Sequence, residues 1–145
     1  MSFDTESFLS ASISGSNDTK VIPCPVGEYT AVIEKVDARQ WQSKDGTKTG
    51  VALDVTWLIE DQGAKAVTGR EQVSVRQGIM LDTVGGQLDM SSGKNIGLGR
   101  LREAVNLNGD SFSFMQLPGQ MAKVEVTHRV VGEDTFAEIK KVGKL

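Results

Sequence analysis

His128 and Cys24 are the only imidazole and the only thiol in 145 residues. Acyl transfer needs a nucleophile within hydrogen-bond reach of a base, and neither residue sits in a motif that would supply one. Cys24 lies between Pro23 and Pro25, and His128 falls within an alternating apolar stretch. Together they fall short of a Cys/His zinc quartet. His128 therefore reads as an edge-of-core or surface residue, and Cys24 as a small buried apolar group. Two carboxylate pairs, Glu60-Asp61 and Glu133-Asp134, fall where turns are expected, and turns favour acidic residues for solvation and local geometry. Gly97-Leu98-Gly99 is not followed by the Gly-Lys-Ser/Thr of a phosphate loop and reads as a flexible lead into a helix. The expectation is a protein with no catalytic residues, no metal site and no cofactor.

Recognition chemistry is better represented. Single-stranded nucleic acid is held by Lys and Arg that follow the phosphates and by aromatic faces on which bases stack. Arg39, Trp41, Lys44 and Lys48 surround one predicted hairpin loop, and Arg70 and Arg76 belong to the strand after next. These six are the candidate binding residues. Trp41 stands in the polar run Arg-Gln-Trp-Gln-Ser-Lys, which suits either a stacking platform or a lid over one end of the core. Trp57 sits on the apolar parity of its strand and reads as core, with Tyr29 and Phe136 intermediate. Arg100 and Arg102 read as the solvated face of a helix.

The elements that must position these residues follow from periodicity. Residues 1–20 are polar apart from Phe3, Phe8, Leu9 and Ile13, and read as a flexible arm, with room for a short helix. The domain, 21–145, opens at Val21-Ile22-Pro23-Cys24-Pro25. A long first strand spans Glu28 to Arg39, with Tyr29, Ala31 and Ile33 on one parity and Val32 and Val36 on the other, as a bulge would produce. Asp45-Gly46 marks a hairpin loop. Val51, Leu53, Val55, Trp57 and Ile59 then alternate as a half-buried second strand.

Asp61 to Lys65 reads as a turn or loop, followed by a third strand through Val73, Val75, Ile79 and Leu81. A long surface connection from Thr83 to Gly97 has room for a short strand near Gln87 and Leu88. Leu98, Leu101 and Val105 mark one short amphipathic helix. Met121–Val131 and Thr135–Val142 form a closing hairpin. The chain is thus mainly β: five strands with one short helix between strands 3 and 4. That order matches the five-stranded Greek-key barrel of the oligonucleotide/oligosaccharide-binding (OB) fold, whose ligands lie across strands 2 and 3 and the flanking loops. A β-sandwich or jelly roll with a peripheral helix has the same strand count.

Composition is that of a folded domain, with 39% hydrophobic and 24% charged residues. A net charge of -3, from 16 Lys+Arg and 19 Asp+Glu, argues against coating nucleic acid by bulk charge but leaves room for a local basic groove. A lone cysteine and the absence of a long apolar run suggest a reducing, cytoplasmic location and no membrane partner.

Pro25-Val26-Gly27-Glu28-Tyr29-Thr30-Ala31-Val32-Ile33-Glu34-Lys35, with the Lys/Gly-rich loop and alternating strand after it, resembles the first hairpin of small phage single-stranded-DNA-binding proteins encoded among replication and recombination genes. Leu98 to Leu107 is similar to their single helix, and Leu117 to Arg129 with Ala137 to Val142 to their closing hairpin. The resemblance covers residues 21 to 142. It implies an OB barrel, single-stranded DNA as the ligand, and the cytoplasm of a host as the location. It departs at Lys140-Lys141-Val142-Gly143-Lys144-Leu145, where many such proteins carry an acidic tail. Two further partners are expected to be open to the chain: a second copy through the N-terminal arm, and replication or recombination proteins. The contrasting functional reading is a structural virion protein, a capsid-decorating or tail-associated β subunit.

Overall fold

A computed structural model describes residues 2–145. Residues 2–20 are exposed throughout and contain one short helix, α1 (Thr5–Ser10). It is capped by Asp4, whose carboxylate accepts from the Glu6 and Ser7 backbone N–H groups. In chain order there follow β1 (Gly27–Gln42), β2 (Thr49–Ile59), α2 (Gln62–Thr68), β3 (Val73–Leu81), β4 (Thr83–Val84), β5 (Gln87–Leu88), α3 (Ile96–Ala104), a 3-10 turn at Phe114–Gln116, β6 (Met121–Val131) and β7 (Asp134–Gly143).

The five long strands form one antiparallel sheet in the order β3-β2-β1-β6-β7, and β4 and β5 make a separate small hairpin. No ladder joins the two edge strands, although β3 and β7 approach one another. The chain is therefore mainly β, as its alternation predicts, with a sheet that is not closed by hydrogen bonds.

β1 owes its two-parity pattern to a bulge. The register with β2 runs Ala31 to Ile59 and Ile33 to Trp57, then resumes at Lys35 to Thr56, leaving Glu34 as the extra residue. An extra residue exchanges the faces of a strand whose side chains alternate. Ala31 and Ile33 before the bulge and Val36 after it consequently face the same core, opposite Ile59, Trp57 and Val55. Lys35, Asp37, Arg39 and Trp41 are turned to the outer face.

One core joins the sheet to α3. Trp57, Ile33, Ile59, Leu101, Leu117, Val124 and Val126 are fully buried, and the Trp57 indole Nε1 donates to Gln77 Oε1 at 2.9 Å, so this buried tryptophan is fully satisfied. Cys24 is also in the core. The lead-in segment that carries it is held by side chains reaching its carbonyls. Arg70 Nη2 donates to Ile22 O at 2.9 Å, and His128 Nε2 to Cys24 O at 2.7 Å.

Four local readings of the sequence change. Residues 62–68 are helical rather than a loop, because Asp61 accepts from the Ala64 N–H and Gly69 takes the left-handed conformation (φ 70°) that ends a helix. Helices are accordingly three among the described residues, of which α3 is the one between the third and fourth long strands. Gly97 is not a flexible lead: it lies within α3, where a Cβ would stand 3.3 Å from Ile79 Cγ2, so its bareness lets the helix close on β3. Arg102 is buried rather than solvated, donating to Leu107 O and Gly109 O at 3.0 Å each with Phe112 beneath its guanidinium.

Asn95 closes the long excursion after β3. It exchanges bonds with Asp82, its Oδ1 accepting from Asp82 N at 2.7 Å and its own N–H donating to Asp82 Oδ2 at 2.8 Å, and its Nδ2 also reaches Asp82 O and Asp89 O. Its φ of 55° is one that Asn tolerates better than other non-glycine residues. Asn95→Ala is expected to lose about 2–4 kcal/mol in denaturant unfolding, from orphaned backbone groups plus left-handed strain. Asn95→Gly should lose less, since it removes the bonds without the strain; equal losses would show that the φ angle costs nothing.

Candidate nucleic-acid interface

The register places the outer face of the three-stranded half of the sheet residue by residue. Lys35, Thr56 and Arg76 share one rung, Asp37, Asp54 and Gly78 the next, Arg39, Ala52 and Met80 the third, and Trp41 and Gly50 the fourth. Arg76 thus lies two strands and four residues from Arg39, roughly 10 Å across and 13 Å along the sheet. Trp41, Arg39 and Arg76 occupy one face.

Trp41 crosses directly over Gly50. A Cβ at Gly50 would lie 2.6 Å from Cε2, Cζ2 and Nε1 of the indole, so only glycine admits the ring there. The ring is half-buried, and its Nε1–H is the one buried side-chain polar atom without a hydrogen-bond partner among the described residues. Packing alone holds this indole, in contrast to the bonded indole of Trp57. An aromatic fixed by packing over a bare backbone keeps a π surface at the sheet without a polar anchor to break.

Charge on this face is mixed. Arg39 Nε donates to Asp54 Oδ2 at 3.1 Å, and Asp37 stands directly opposite Asp54. Lys35 and Arg76 are exposed and make no ion pair among the described residues. Exposed Met80 adds an apolar surface beside Arg39.

The β1–β2 loop borders the face beyond Trp41. Ser43 N donates to Lys48 O at 2.8 Å, and Gly46, at φ 74°, makes the turn, its N–H donating to Ser43 O. Asp45 Oδ1 accepts from Ser43 Oγ at 2.6 Å, Thr47 N at 3.0 Å and Thr47 Oγ1 at 2.8 Å. The loop is ordered from within, and it carries Lys44 and Lys48 as exposed cations. Arg70 stands apart, ahead of β3, with its guanidinium on the Ile22 carbonyl. It lines a cleft of about 790 Å³ that also takes in Arg76, Lys20 and Phe136 beside the β6–β7 turn.

Five of the six predicted residues therefore lie on or beside one face, and the sixth holds the lead-in segment. Sequence reasoning missed Lys35, Gly50 and Met80. Lys35 was accessible from the alternation Lys35, Asp37, Arg39, Trp41; the cross-strand approach at Gly50 has no sequence signal. Among the described residues no group of three His, Cys, Asp or Glu is placed to hold a metal ion, and no helix is long and apolar enough to cross a membrane. Comparison of the sequence with protein-family models and with curated proteins finds no match to either.

Two measurements check this geometry. Gly50→Ala should displace the Trp41 indole, read as a change in tryptophan emission that is lost in the Trp41→Phe background; unchanged emission would contradict the contact. The hydrogen bond from Ser43, with those from Thr47, lowers the Asp45 carboxyl from 3.8 to about 2. A lowered folded pKa stabilises the loop above the unfolded value, and that contribution fades as pH falls from about 3.8 through about 2. Carboxyl NMR should show Asp45 titrating near 2 with loop order lost alongside; a midpoint near 3.8 would mean that the bonds are not made in solution.

Proposed function

We propose that the chain is a non-catalytic, sequence-tolerant single-stranded-DNA-binding protein of phage type, acting in replication or recombination in the host cytoplasm. Its architecture on this reading is a partly open OB barrel. Support comes from the sheet order, in which the third, second, first, fourth and fifth long strands lie side by side with α3 between the third and fourth. The approach of β3 to β7 is the side on which such a barrel closes.

The observation that carries the proposal is Trp41 over Gly50 on the same face as Lys35, Arg39 and Arg76, bordered by the lysines of the β1–β2 loop. A backbone tracking this face meets cations at its phosphates, while a base packs on the indole and on Met80. Each phosphate contact releases counterions, so affinity falls with salt. Asp37 and Asp54 oppose the same ligand and temper its affinity.

Titration with oligo-dT at low salt, followed by tryptophan fluorescence, tests this reading. Binding with Trp41-dependent quenching is expected. Trp41→Ala should weaken binding by roughly 1–3 kcal/mol. Arg76→Ala should reduce the salt slope by roughly 1, and Asp54→Asn should tighten binding at low salt by removing a repulsive charge. No binding at low salt, or full affinity in the Trp41→Ala and Arg76→Ala variants, would overturn the proposal.

A further inference from the structure

A second cationic surface borders the face just described. A cleft of about 1110 Å³ between β3, α3 and the end of β7 is lined by Lys94, Arg100, Lys140, Lys141 and Lys144 against the single carboxylate of Glu103. Lys144 pairs with Glu103 at 3.4 Å and Lys140 with Glu125 at 3.9 Å, whereas Lys94, Arg100 and Lys141 make no ion pair among the described residues. The same cleft presents apolar surface from Ile96 and Val142, with Ile96 52% exposed. The cleft thus asks for an occupant that is both acidic and apolar.

This chain contains such a segment. Residues 2–19 carry Asp4, Glu6 and Asp18 and no cation. They also present Phe3, Phe8, Leu9 and Ile13 at 71%, 67%, 76% and 83% exposure, with the Phe3 and Phe8 rings touching at 5.2 Å between centroids. α1 and the residues just before it gather Asp4, Glu6 and the aromatic pair within one short stretch. Nothing among the described residues covers them. The other open surfaces fit less well: the groove of about 750 Å³ lined by Val36, Leu53, Leu81, Leu88 and Phe114 has no cation, and the cleft beside Arg70 balances its cations with Asp18, Glu133 and Asp134.

We infer that the acidic, apolar N-terminal arm of one copy docks in the basic cleft between α3 and the end of β7 of a second copy. Lys20 roots the arm on the Glu133 carbonyl at 2.9 Å, at the β6–β7 turn, which is the opposite end of β7 from the cleft. From that root, residues 11–19 span up to about 30 Å when extended, enough to carry α1 off its own subunit towards a neighbour. Arm and cleft are different surfaces of one molecule, so the contact is head-to-tail and extends to further copies unless a ring closes. Association through it needs no nucleic acid, although the cleft borders the face that carries Trp41 at Gly78 and Met80.

Sedimentation of the full chain at low salt, without nucleic acid and over rising concentration, tests the inference. The native chain should pass from the 15.6 kDa monomer to larger species and return to monomer as salt screens the pairing. Asp4→Lys with Glu6→Lys, and separately Arg100→Glu with Lys141→Glu, should each abolish association. Mixing the two variants should restore it, which also shows that both are folded. A native chain that stays monomeric at all concentrations overturns the inference, as does association that survives either reversal or fails to return on mixing. If the cleft variant instead loses oligo-dT binding while the native chain never self-associates, the occupant is nucleic acid and the arm is not.

Discussion

β1 serves two partners, pairing with β6 over Gly27–Val32 and with β2 over Ala31–Gln42, and a single extra residue at Glu34 makes the double service compatible with one core. Without it, strict alternation from Ala31 and Ile33 would carry Lys35, Asp37, Arg39 and Trp41 into the interior and put Val36 in water. Burying an unpaired Lys or Arg costs several kcal/mol, far more than one irregular rung. The bulge is therefore the constraint from which both the core and the charged outer face follow. Trp41 reaches Gly50 only because the parity has been exchanged seven residues earlier.

Polar side chains do much of the holding away from the sheet. Arg70, His128, Asn95 and Arg102 each bind main-chain carbonyls in segments that have no ladder of their own. A buried carbonyl left without a donor costs about 1–3 kcal/mol, so these side chains fix irregular backbone as strand partners fix regular backbone. Arg70 is thus occupied by architecture where its type and position suggested recognition.

The regular parts of the chain were legible because their signals are local. Alternation in Val51 to Ile59 gave β2, the mixed parity of Tyr29 to Val36 gave the bulge, and Leu98, Leu101 and Val105 gave α3. The closing hairpin and the hairpin strand at Gln87 were also readable. What was not readable depends on contacts between distant residues. α2 hid behind a Gly in its first turn, and its Asp61 cap is recognisable only once the helix is known. The burial of Arg102 depends on where Leu107 and Phe112 return, and the fit of Trp41 over Gly50 on which residue the register sets across from it. For the site, residue type identified the cations and the indole, while only the register showed that Lys35 joins them and that Asp54 holds Arg39.

The open gap between β3 and β7 has a further meaning. An open sheet leaves two rows of unpaired N–H and C=O groups, which act as templates for strands of other chains. Here α3 lies against both edges at one end of the gap, while the lead-in segment held by Arg70 and His128 lines it at the other. Those two covers act as bolts against runaway strand addition. With both ends of the gap covered, contact with another chain at these edges falls to side chains rather than to ladder bonds.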